Sequence, residues 1–98
     1  MNRILCAIPA GTYDRIMTPE LEARLCALGD VTFCRDPRSL SEAEYGALWA
    51  DADAVLTGWG VRPPTEADVV AARRLKVVAH SAGSVRMLPR SLIERGVI

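Results

Sequence analysis

The stretch with the most to offer chemically is Ser81-Ala82-Gly83-Ser84-Val85-Arg86, which follows an apolar run and His80. A glycine in such a loop carries no Cβ, so a ligand can approach the backbone closely and the chain can take positive φ. Consecutive backbone N–H groups in a turn of this kind hold a carboxylate without any charged side chain. Arg86 adds a cation suited to an acid. Trp59, between Gly58 and Gly60, supplies a flat wall for a cleft or a domain interface. His80 is the only histidine, and no general acid or base can be paired with it from sequence.

Positioning these residues requires a scaffold. Ile4-Leu5-Cys6-Ala7-Ile8, closed by Pro9, is a continuous apolar run of the type found in strands buried on both faces. Further strands are predicted at Val31–Cys34, Ala54–Thr57 and Leu75–Ala79, and a fifth begins at Val97-Ile98. Between them lie helix signals. Thr18-Pro19-Glu20 is a cap followed by Pro at the first helical position. Leu21, Leu25 and Leu28 follow on one face, and Gly29 is expected to stop that helix. Asp36–Ser39 reads as loop. Ser41 and Glu44 form a capping box, with Tyr45, Leu48 and Trp49 on one face behind it. Thr65 caps a helix with Glu66 and Asp68 in its first turn and Arg73 and Arg74 in its last. Pro89–Arg95 is a short helix closed by Gly96.

Alternating strands and helices mean a parallel sheet with right-handed crossovers. The expected fold is α/β and flavodoxin-like, in strand order 2-1-3-4-5, with helices on both faces. Ligands of such sheets sit at the carboxyl ends of the strands. That directs attention to Pro9–Thr12, Gly58–Pro64 and Ser81–Arg86.

The totals narrow the function. The 98 residues make one small domain, residues 1–98, half apolar and 24% charged. Twelve basic residues balance twelve acidic ones, which favours neither a nucleic-acid nor a membrane-surface partner. The five-residue apolar run near the start is too short for a leader or a spanning helix. Cys6, Cys26 and Cys34 are odd in number and widely spaced, as expected of free thiols in a reducing cytoplasm rather than metal ligands. No G-x-G-x-x-G follows a strand and no Walker lysine occurs. A phosphoacceptor receiver would need an Asp ending strand three, where Thr57-Gly58 stands. A phosphocysteine transport domain would need a Cys in the first loop, whereas Cys6 lies inside the strand.

With these residues in view, the chain resembles the D-isomer-specific 2-hydroxyacid dehydrogenases, in the N-terminal part of their substrate-binding domain. Asp51-Ala52-Asp53-Ala54-Val55-Leu56 is similar to that family's strand entry, and Leu75-Lys76-Val77-Val78-Ala79 to the strand before its glycine loop. Arg95-Gly96-Val97 places a glycine thirteen residues after Gly83, as in the family. The match is specific from about Asp51 onward. It departs at Val85 and Leu88, where the family carries Asp or Asn and Asp. The resemblance implies an NAD(P)-dependent oxidoreductase acting on D-2-hydroxy acids and 2-oxo acids. Ala82, Gly83, Ser84, Arg86 and Trp59 would bind the substrate. NAD or NADP would be held by a cofactor domain outside this chain, which would be an N-terminal fragment ending within strand five and inactive alone. It implies no catalytic, cofactor or metal residue among the 98. A homo-oligomeric, cytoplasmic protein is expected. The alternative is a stand-alone flavodoxin-like module that binds an acid or a protein without catalysis.

Overall fold

Apolar residues every second position on both sides of a strand have one stable outcome, burial between two helical layers. The computed structural model, which describes residues 2–98, shows that outcome. Strand β1 (Arg3–Cys6) lies between β2 (Asp30–Phe33) and β3 (Ala54–Gly58), and β4 (Val77–Ser81) pairs with β3. The order is β2-β1-β3-β4, all parallel, with Leu5 beside Thr32 and Val55, and Val55 beside Val78. This is the α/β arrangement expected, in the expected order over four strands. Beyond β4, the Val78 N–H donates to Val97 O at 2.6 Å, one sheet-like bond at the predicted fifth strand.

Leu5, Val55 and Val78 face one core with Tyr45 and Trp49 of α3 (Glu42–Ala50), Val69 of α4 (Glu66–Ala71) and Leu92 of α5 (Arg90–Glu94). Trp49 is fully buried there. Truncating a core aromatic of this size to Ala costs about 3–5 kcal/mol. Cys6 and Ile8 face the other core with Tyr13 of α1 (Ala10–Ile16). Helix α2 (Pro19–Cys26) lies on that side too, with Leu25 buried.

The capping signals are realised. Thr18 accepts from the Leu21 N–H at 3.1 Å. Ser41 and Glu44 satisfy each other's backbone N–H groups, and Thr65 forms the same box with Asp68. Gly96, at φ +72°, closes α5.

Several boundaries differ from expectation. Residues 10–16 form a helix that the sequence did not signal, and it takes in most of the Pro9–Thr12 stretch read as a post-strand loop. Pro37–Ser39 is a 3-10 turn. Arg73 and Arg74 lie past the end of α4, not in its last turn; Arg74 instead pairs with Asp53 at 3.2 Å. Helix α2 ends at Cys26 with Ala27 as cap, so Gly29 does not end it through a left-handed residue. Gly29 is required by crowding: a Cβ there would stand 2.3 Å from Asn2 O. Leu21 and Leu28 are exposed rather than packed. Among the described residues no helix is long and apolar enough to cross a membrane.

Candidate functional site

Because β1, β3 and β4 are consecutive in the sheet and parallel, the loops after them leave the same edge. Two of those loops are tied together. Thr12 Oγ1 donates to Trp59 O at 2.8 Å, joining the start of α1 to the loop after β3. Gly60 makes this possible. Its φ of +79° is a conformation that a Cβ disfavours, and the turn brings its backbone against Pro9 and Thr12. Trp59 is left 58% exposed, so its indole packs into neither core and stands free at the carboxyl edge.

The loop after β4 is held by a relay the sequence did not disclose. Thr57, fully buried at the end of β3, stands 2.6 Å from His80 Nδ1. His80 Nε2 stands 2.6 Å from Ser84 O. A carbonyl only accepts, so Nε2 carries the proton, and in the neutral ring Nδ1 accepts from the Thr57 hydroxyl. Ser81 Oγ donates to Thr57 O at 2.9 Å beside it. The ring therefore pins Ser84 to β3 across β4. The one available signal was the register that sets Thr57 beside His80, which requires the strand pairing to be known.

Val85 packs against the core and Leu88 is buried, with the Leu88 N–H donating to Val85 O at 3.0 Å. The two positions where the resemblance led one to expect polar side chains are thus the loop's apolar anchors. Between the His80 clamp and these anchors, Gly83 and Ser84 are exposed and Ala82 is half-buried. The N–H groups of Ala82, Gly83 and Ser84 have no acceptor among the described residues, while the Arg86 N–H is taken by Ser84 Oγ at 3.2 Å. Gly83 does not take positive φ, contrary to the freedom expected of it; a Cβ there would meet nothing within 4 Å. Its role is to leave the backbone open. Arg86 is exposed and joins no ion pair among the described residues.

The structure thus places Ala82, Gly83, Ser84, Arg86 and Trp59 at one edge of the sheet, on two neighbouring loops. It does not enclose them: none of the five main concavities is lined by these residues. The arrangement sets three backbone donors and a free guanidinium side by side at this edge. Both His80 nitrogens are engaged and the Thr57 hydroxyl is shut in. Cys6 and Cys34 are buried, which pushes both thiols up and keeps them from ionising. Among the described residues no three His, Cys, Asp or Glu side chains gather as metal ligands.

The residues at β1 do not fit a dinucleotide. Pro9 precedes α1 without a side-chain cap, the helix has seven residues, and Gly11 faces open space rather than a close backbone approach. No protein-family model matches the chain, and no curated protein matches it.

Proposed function

We propose that the chain is the substrate-binding part of an NAD(P)-dependent oxidoreductase that interconverts D-2-hydroxy acids and 2-oxo acids. The observation that carries the reading is the run of three N–H groups at Ala82, Gly83 and Ser84 without acceptors, on an exposed loop braced from beneath by His80. Those donors would take the substrate carboxylate. Arg86 would add charge, and Trp59 would wall the cleft. The spacing of Gly83 and Arg95-Gly96-Val97 supports the same reading.

Hydride chemistry would belong to NAD or NADP. Since the residues after β1 do not fit that cofactor, the reading assigns it to a segment outside residues 1–98 and assigns this chain binding alone. A cytoplasmic setting accords with three free cysteines. Association between copies accords with β4 carrying one backbone bond on its outer side, since open strand edges pair.

The coding sequence downstream of Ile98 tests the reading. It should specify a strand, a G-x-G-x-x-G and a helix within about a hundred residues. A stop codon, or a downstream region without that motif, overturns it and leaves a binding module.

A further inference from the structure

A parallel sheet is stable when both faces are covered. Here α3, α4 and α5 cover β1, β3 and β4 on one face, but on the other face α1 and α2 leave β4 bare. Val77 is 47% exposed, and Ala79 and Ser81, which share its face by alternation, are exposed too. Leu56 on β3, the register partner of Ala79, forms the floor of a groove of about 450 Å³. Its wall is Ile16, Met17, Leu21, Leu25 and Leu28. The groove continues past Leu28 to Val77 and Lys76.

We infer that this groove docks an amphipathic helix of a partner protein, apolar on one face and flanked by carboxylates. Shape and charge select that occupant. One helix, about 10 Å wide, covers two strands about 4.8 Å apart. The run from Val77 to Ser81 matches about ten residues of helix at about 1.5 Å each. Arg24 is the charged side chain on the main groove, and Lys76 stands at its far end; neither is in an ion pair among the described residues. Asp53 also borders that end, but its carboxylate accepts from the Arg3 N–H and from Arg74. The unanswered charges on the groove are therefore both positive, Arg24 on its wall and Lys76 at its far end. A second copy fits badly: its groove is concave as well and carries the same two cations.

The test uses the 98-residue chain and two fluorescein-labelled 18-residue peptides. Both have a Leu/Ala face; one is flanked by Glu, the other by Lys. The acidic peptide should bind saturably, at least about tenfold tighter than its twin, a difference a few charge contacts supply. It should gain helicity on binding. Arg24→Glu, which leaves Lys76 balanced by the new carboxylate, should abolish the preference between the two peptides, and Leu28→Glu, at an exposed position, should abolish binding with the protein's circular dichroism unchanged. Equal affinity for the two peptides, binding of neither, or indifference to both variants would overturn the proposal. So would a two-chain mass that Leu28→Glu reduces to one, which would make the occupant a second copy, or loss of peptide binding when the chain is extended by its downstream coding sequence, which would make the occupant a later segment of the same polypeptide.

Discussion

Thr57 illustrates how much one hydroxyl does here. It is buried, it supplies the donor to His80 Nδ1, and through that ring it fixes Ser84. Thr57→Val keeps the volume and deletes the bond, leaving a polar ring nitrogen unanswered. A loss of about 1–3 kcal/mol is expected. Amide exchange at Gly83 and Ser84 should quicken by more than the global change, because the clamp acts on that loop first. Hydrogen exchange read by NMR checks it, and a uniform change would show that the relay does not position the loop.

The buried ionisable groups set the pH limits. Tyr45 donates to Arg62 O at 2.6 Å, and burial pushes its phenol up to about 12. An unfolded tyrosine ionises near about 10, so between the two values the unfolded chain releases its proton first. Stability is intact below the lower value and falls as pH rises toward the upper, by about 2–3 kcal/mol. Asp53 runs the other way. The Arg3 N–H, and then Arg74, hold its carboxyl below the usual range, so its contribution is present at neutral pH and lost as acid protonates it. Denaturant melts across pH 9–12 should show the alkaline loss, with a shallower slope in Tyr45→Phe.

Among the elements, those with local chemistry were legible and those made by tertiary contact were not. The capping boxes at Ser41 and Thr65 announce α3 and α4 because donor and acceptor lie three residues apart. Helix α1 has no such cap and contains Gly11 and Thr12. It forms because Tyr13 packs edge-on to Phe33, Arg35 lies 4.4 Å over the Tyr13 ring, and the Ala10 N–H finds Arg35 O. Glu22 also hydrogen-bonds the Tyr13 hydroxyl. None of those partners is near in sequence. The same holds for the candidate site. Glycine, arginine and tryptophan marked the loops, but the His80 clamp and the inward turn of Val85 depend on strand register.

Arg95 shows an element held from afar. Its guanidinium donates to Val69 O at 2.6 Å in the last turn of α4, to Ala72 O at 3.0 Å at the cap and to Leu75 O at 3.4 Å just beyond it. The Arg95 of the family-like motif is thus also a helix cap. Arg95→Met should cost about 1–3 kcal/mol in urea unfolding. A cost below about 0.3 kcal/mol would show that water serves those carbonyls equally well.

At the scale of the molecule, the sheet supplies a platform with three loops at its carboxyl edge and an open groove on one face. The parallel α/β alternation followed from buried apolar runs and helix signals, while the uncovered face did not, since Leu21 and Leu28 look the same in sequence whether packed or bare. The central claim is that the loop after β4 grips a carboxylate through its backbone. The most direct measurement is an amide NMR titration of the 98-residue chain with glyoxylate, with glycolaldehyde, which has no carboxylate, as control. Saturable shifts centred on Ala82, Gly83 and Ser84, at a Kd of about 1–10 mM as a few uncovered hydrogen bonds provide, and weakened in Arg86→Gln, are expected with glyoxylate alone. Shifts absent from those three amides, or equal for the two compounds, would contradict the claim.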